Sequence, residues 1–540
     1  MIILAYYSKA EMEHVLSEYP QYRDKLFCRG FLITDQNDLD LERYPFYGKW
    51  NRQIIKTSKG NDISLLTHRQ ARSYIYEDEG IAYFLVGHAY NPYSMDYEEE
   101  SILRNLAKAL QISEDTYWRV ESELTGVFCT GYIKEDNIVF STDCTGMQLV
   151  YYGEGSDNMY ITSHSKLVAD ICGFEQDRYI TRLVNSRFYR YWGTFLPGDR
   201  SPYLELKRVV PNFSYKCNLT EITFSFRRYY PLSKIEEVQE VQYEEVLENI
   251  AKTLENSLVL ISKKWPGKRA AISVTGGRDS TTTLAAAHSV YEELSYFSYI
   301  SKDTEKVDAE AAHIICDHLG LDHVIYTIPD ESELYKDIEV IKKILECNAG
   351  CIGHNNLNDV KKRMYLDTIH DFDVEIKSWV DELSRGEAQN KYNTRRFPRK
   401  PNVGYYRCMW KVIVNPRLIW ESNRIFKEYL KTYYDKSVWT YLPWTDFFYW
   451  EFSWSSGEGT FLTSEHKYSD DITIPYNNRC LLNTMFTVPL EKRLNSQIQI
   501  DVIRKLDRRI EDSKVHVKNA AHTDMWSFII RTYLRIFSKF

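Results

Sequence analysis

The 540-residue sequence has no run approaching the roughly 18 consecutive apolar residues that a membrane-spanning helix requires. It also lacks a basic excess. Lys and Arg number 68 against 76 Asp and Glu, a formal net charge of −8, which excludes the electrostatic footprint of a nucleic-acid binder. Its ten cysteines fall without regular spacing. Cys347, Cys351 and His354 lie close together, but no second ligand pair follows at finger spacing, so they read as structural rather than metal-binding. No N-terminal segment joins a basic start, an apolar run and a small-residue cleavage site, and a reduced, cytoplasmic location is the expectation. Repeats, low-complexity tracts and Pro/Gly/Ser linkers are missing too, so any domain boundary has to come from pattern. A Gly-x-x-x-x-Gly-Lys-Ser/Thr motif is absent, which rules out the Walker type of phosphate loop.

What is present fits a globular protein, with 44% apolar and 27% charged residues. The length allows two to four domains, and two is the simplest count. Tyr, at 42, is abundant, but biased composition explains it as well as a stacking surface does.

The pattern changes near residue 235. Before it, short β-rich runs dominate: 1–7, 81–87, 126–132, 137–141 and 149–152. After it, a helix-periodic segment over 244–262 precedes a strand at 270–274, and then come a helix, a strand at 294–300, a helix from about 308 to 319 and a strand at 324–328. That βαβαβ order predicts a parallel sheet. The remainder from about 335 reads as mostly helical.

The most informative stretch is Ala270-Ala271-Ile272-Ser273-Val274-Thr275-Gly276-Gly277-Arg278-Asp279-Ser280. An apolar strand breaks into two glycines and restarts as an Ala-rich helix. Glycine lets the backbone approach an anion closely, and a helix start offers unpaired N–H groups and a positive dipole end. Thr275 and Ser280 add hydroxyls, and Asp279 is a hard oxygen ligand suited to the Mg²⁺ that accompanies a polyphosphate.

These residues resemble the Ser-Gly-Gly-x-Asp-Ser pyrophosphate loop of the ATP pyrophosphatases, with Thr275 in place of the leading Ser. The chain as a whole resembles the asparagine synthetase family. In the first half the likeness rests on Gly126-Val127-Phe128, Asp143-Cys144-Thr145-Gly146, Leu149 to Tyr152, Ser163 to Lys166 and Tyr203 to Pro211. In the second it rests on Phe297-Ser298, on Asp308 and Glu310, and on His318 to His323.

The resemblance implies an α/β fold of two domains. Residues 1–235 would form a degenerate glutaminase-like domain, an Ntn-type αββα sandwich. Residues 236–540 would form an ATP-pyrophosphatase-type parallel α/β domain with a helical remainder. The family's glutaminase nucleophile is a Cys directly after the initiator Met; here that position is Ile2, and the nearest cysteine is Cys28, so glutamine hydrolysis in cis is not expected.

The family's second acidic motif is matched by Lys377-Ser378-Trp379-Val380-Asp381-Glu382. Asp381 would be the second Mg²⁺ ligand opposite Asp279. Ser378 replaces an acid, leaving Glu375 and Glu382 as alternatives for positioning or deprotonating the amine. The segments 446–451 and 474–479 resemble those lining the synthetase pocket, and the late catalytic Lys would fall near Lys514 or Lys518. ATP or pyrophosphate would be held by Ser273, Val274, Thr275, Gly276, Gly277, Asp279, Ser280 and Ser298.

The activity so implied is an AMP-forming, ATP-dependent amide ligase using Mg²⁺, a carboxylate substrate and an amine not made by glutamine hydrolysis in this chain. It would serve specialised peptide, small-molecule or polysaccharide biosynthesis, with a homodimer or a biosynthetic partner protein compatible. The alternative is an inactive nucleotide-binding regulator or scaffold. At the C-terminus, Asp524 can cap a helix carrying Arg531, Arg535 and Lys539 at i, i+4, i+8 opposite aromatic residues. Such a helix suits docking on its own domain or a partner, and also an anionic membrane surface.

Overall fold

The computed structural model describes residues 7–186, 196–350, 357–386, 389–390, 416–434, 441–513 and positions 515, 528 and 532. Ile2, Cys351, His354, Lys514, Lys518 and the expected C-terminal helix, Phe528 and Thr532 apart, lie outside the described residues.

Among the described residues the first half supplies Phe31–Thr34 (β1), Trp50–Lys56 (β2), Asp62–His68 (β3), Ser73–Asp78 (β4), Ile81–Tyr90 (β5), Thr125–Lys134 (β6), Asn137–Thr142 (β7), Tyr151–Gly155 (β8), Asn158–Thr162 (β9), Leu206–Arg208 (β10), Phe213–Asn218 (β11) and Thr223–Arg228 (β12). These make two six-stranded sheets, ordered β10-β8-β9-β1-β3-β2 and β12-β11-β7-β6-β5-β4, with antiparallel neighbours throughout.

The sheets pack face to face, and strand alternation explains how. Phe31, Ile33, Ile63, Leu65 and Ile161 turn inward to Phe84 and Phe140 of the second sheet, while Leu32, Leu66 and Tyr160 face a separate outer cluster. Tyr152 bridges the sheets, its ring 4.9 Å from that of Tyr215 and 6.4 Å from that of Phe140. Much of the Tyr content thus serves the core. Glu99–Ile112 (α1) and Glu114–Glu121 (α2) cover the outer face of the second sheet with Leu103, Leu106 and Trp118. Ser165–Cys172 (α3) covers the first, with Leu167 and Val168. The result is an α-β-β-α layering.

The second half begins with Tyr243–Lys264 (α4), then Ala270–Ser273 (β13), Arg278–Ala286 (α5), Ser295–Ile300 (β14), Asp303–Leu319 (α6), His323–Thr327 (β15) and Ile338–Ala349 (α7). Helix α6 starts five residues before the expected 308, and the other elements fall within two residues of expectation. Two strands were not expected in the helical remainder: Val374–Ile376 (β16) and Asp471–Thr473 (β17). At three residues each they are too short to carry a periodic signal. They complete a five-stranded sheet, β15-β14-β13-β16-β17, in which every pairing is parallel. Ala270, Ala271 and Ile272 are fully buried, as a central parallel strand covered on both faces requires.

The two halves are joined by buried polar contacts. Helix Asp381–Ser384 (α8) packs on Arg479–Phe486 (α9), and Gln497–Leu506 (α10) lies against α5. At the start of α9 the Arg479 guanidinium bonds Glu121, the Asn212 side chain and the carbonyls of Thr142 and Asp143. Asn477 donates to Gly126 O at 2.7 Å and to Asp143 Oδ1 at 2.9 Å. Helix α7 places Ile341, Ile344 and Leu345 in the same outer cluster as α3. Among the described residues no helix is long and apolar enough to cross a membrane.

Candidate active site

The C-terminal edge of the parallel sheet opens into a cleft of about 790 Å³. Ser273, Val274, Thr275, Gly277, Arg278, Asp279 and Ser280 line one wall, and Ser298, Tyr299, Glu305 and Asp308 another. Lys377, Ser378, Trp379, Glu382, Arg385 and Leu494 to Ser496 close it. A ligand crevice at the carboxyl ends of parallel strands follows from the fold, because helices start there with their amides free.

The loop holds its own shape. Ser280 Oγ accepts from Thr275 N at 2.7 Å and donates to Thr275 O at 3.2 Å, and Thr275 Oγ1 accepts from Gly277 N at 3.2 Å. Gly277 has φ −77°, so it is not there for a left-handed conformation; a Cβ added to it would meet Thr275 Oγ1 at 3.3 Å. Close approach is its role. Ser298 also spends its hydroxyl on the wall, donating to Val274 O at 2.6 Å.

Asp279 and Asp381 are 102 residues apart in the chain and adjacent in the fold. Residue 381 follows β16, whose Ile376 pairs in register with Ile272 of β13, so the two acids start helices at the ends of neighbouring strands. Between them, Val380 has φ +78°, a left-handed conformation a β-branched residue rarely takes, and this turns α8 toward the cleft. Asp279 Oδ2 pairs with Arg385 Nη2 at 2.7 Å, and Asp381 Oδ2 lies 3.7 Å from Arg385 Nε. Gln499 of α10 donates to Asp381 Oδ1 at 2.7 Å.

Burial, then the charge of Glu382, pushes the Asp279 carboxyl up to about 6 despite Arg385. Asp381, fully buried, is raised well above the carboxylate range by burial and by Asp279. Asp381 lies beneath the cleft, whereas Asp279 and Glu382 line it. One oxygen of each aspartate, Asp279 Oδ1 and Asp381 Oδ2, is buried without an N–H donor of the protein among the described residues. This hard-oxygen pair fits Mg²⁺, which takes one or two carboxylates and fills its shell with water and substrate phosphates. No cage of three or more His, Cys, Asp or Glu exists among the described residues.

Glu375 points elsewhere. It is 1% exposed and paired with Lys377 Nζ at 2.6 Å; burial works to raise its carboxyl, but the Lys377 and Arg363 charges outweigh that and hold it low. Lys377, not Glu375, reaches the cleft. The segments 446–451 and 474–479 do not line it either, contrary to expectation. Glu451 pairs with Arg228, and Asn477 and Arg479 face the first half; only Tyr476 comes near Asp279 and Asp381.

Sequence reasoning missed Arg385, although its i+4 offset from Asp381 was a usable signal. Gln499, 118 residues from its partner, left none. Cys28 is fully buried, and burial raises its thiol, so it is no activated nucleophile.

No protein-family model matches the chain, and no curated protein does. Among solved structures, it is similar to a glutamine phosphoribosylpyrophosphate amidotransferase from B. subtilis complexed with ADP and GMP, at 10% identity and a TM-score of 0.24, over 63% of this chain and 91% of that one. A second is described as the allosteric regulatory enzyme of purine biosynthesis, at 11% identity and a TM-score of 0.24, over 63% of this chain and 77% of that one. A likeness this slight carries no argument about fold or activity.

Proposed function

We propose that the chain is an ATP-dependent amide-bond ligase of the asparagine synthetase type, forming AMP and pyrophosphate. The observation that carries this reading is the meeting of Asp279, Asp381 and Glu382 beside a Thr-Gly-Gly-x-Asp-Ser loop at the sheet's C-terminal edge. The substrate carboxylate attacks the α-phosphorus of ATP, the α–β phosphoanhydride bond breaks, and pyrophosphate leaves. The amides at the start of α5 take up its charge. Mg²⁺, which Asp279 and Asp381 would hold, supplies further neutralisation of the polyphosphate when bound. An amine then attacks the acyl carbon, Glu382 accepts its proton in the cleft, and AMP departs as the amide forms. Rate would come chiefly from orientation within a walled cleft. The amine is not released from glutamine within this chain, and residues 1–235 act as a degenerate glutaminase-like domain.

The test is pyrophosphate release from MgATP over a panel of carboxylic acids and amines, comparing the chain with Asp279→Asn. Release that depends on one acid and vanishes in the variant is expected. Tight MgATP binding with no release for any pair would overturn the ligase reading and favour a nucleotide-binding regulator. One observation lends that second reading weight: Arg385 already neutralises Asp279, as a resident cation would in a site that binds but does not turn over.

A further inference from the structure

The cleft wall carries a hydrogen-bond chain that the proposed reaction does not use. Ser298 Oγ has one proton and gives it to Val274 O at 2.6 Å. Its contact with His323 Nε2 at 2.9 Å is therefore one it accepts, which places the ring proton of a neutral His323 on Nε2. The Nδ1 of His323 is then a bare lone pair, and it faces Nδ1 of His313 at 3.4 Å. The ring centroids lie 5.6 Å apart at 39°. Two nitrogens each about 2.0–2.1 Å from a tetrahedral ion stand roughly 3.4 Å from one another, whereas a ring–ring hydrogen bond would close to about 3 Å.

We propose that His313 and His323 form a site for a borderline divalent transition-metal ion, Zn²⁺, Ni²⁺ or Cu²⁺, on the outer side of the cleft wall. Imidazole nitrogen selects these ions over Mg²⁺, so the site is chemically distinct from the aspartate pair. His313 is exposed on α6, which gives the ion an entry path, and His323 is partly buried at the start of β15. The Ser298 hydroxyl orients His323 as an outer-sphere partner orients a metal ligand. No third His, Cys, Asp or Glu joins the pair among the described residues, so water fills the remaining positions. Because Val274 and Ser298 both line the cleft, an ion held here stiffens the wall against which a nucleotide would lie. The site does not depend on the ligase reading.

The experiment is Zn²⁺ titration of the chelator-stripped full chain in competition with a chromophoric chelator, with Cu²⁺ electron paramagnetic resonance on the same samples. Wild type should bind one ion whose Cu²⁺ spectrum carries coupling from two nitrogens. His313→Ala, at an exposed position that leaves the fold intact, should lose that ion. Ser298→Ala should bind it about 10–100-fold more weakly, the usual cost of removing an outer-sphere partner. Unchanged stoichiometry and affinity in His313→Ala would overturn the proposal, as would a spectrum lacking two-nitrogen coupling in wild type.

Discussion

The Arg479–Glu121 pair offers a quantitative test of how the halves are joined. Both side chains are 0% exposed, with Nη1 2.9 Å from Oε1. The carboxylate also accepts from Tyr229 OH at 2.9 Å, and the guanidinium has further bonds to Asn212, Thr142 and Asp143. Burial, and to a lesser degree the charge of Asp143, raises the Glu121 carboxyl, while Arg479 first and then the Tyr229 hydroxyl favour its charged form. Arg479→Met strands that carboxylate, and breaking a buried pair from one side costs about 3–5 kcal/mol. Glu121→Gln strands the guanidinium at a similar cost. In the double variant neither charge is left, so the two losses should fall short of adding by about 2–3 kcal/mol. Urea unfolding is the right assay because urea, unlike guanidinium, leaves ion pairs unscreened. Tryptophan fluorescence reports on the region through Trp118, stacked on Tyr229 with centroids 4.5 Å apart. An Arg479→Met protein within about 0.5 kcal/mol of wild type, or single costs that simply add, would refute the reasoning.

Two further outcomes concern the cleft. Gln499→Leu leaves Asp381 Oδ1 buried without its donor, a penalty of about 1–3 kcal/mol, and should raise the Mg²⁺ concentration needed for pyrophosphate release about 5–150-fold; equal Mg²⁺ dependence would show that Gln499 does not position Asp381. MgATP affinity should be level above pH 6 and fall below it by roughly tenfold per unit, because protonation of an Asp279 carboxyl raised to about 6 competes with the cation. Calorimetric binding at pH 5 and 7.5 checks this, and a fall of the same size in Asp279→Asn would assign the titration to another group.

The strand-loop-helix around Thr275 to Ser280 was legible because its geometry is local. Thr275, Gly276, Gly277, Asp279 and Ser280 are consecutive or nearly so, and an apolar strand before an Ala-rich helix is a pattern that neighbouring residues alone enforce. The parallel sheet was legible for the same reason up to β15. Strands β16 and β17 were not, because three residues buried by partners 97 or 104 positions away have no period of their own. Glu375 and Lys377 show the limit at the end of a single strand. Alternation puts them on one side, but only packing decides that Lys377 faces the cleft while Glu375 neutralises it from behind.

By itself, the sequence determined the character of the chain: the strand-rich first half, the alternating second half, and a loop with the donors and the carboxylate a polyphosphate needs. Those follow from local backbone preferences and hydrophobic period, which act over a few residues. Tertiary structure alone decided that Asp381 stands beside Asp279, that Arg385 and Gln499 hold the pair, and that segments 446–451 and 474–479 clamp the halves together rather than line the cleft. Those arrangements are set by strand register and by the need of buried charges for partners, and both are properties of the assembled core.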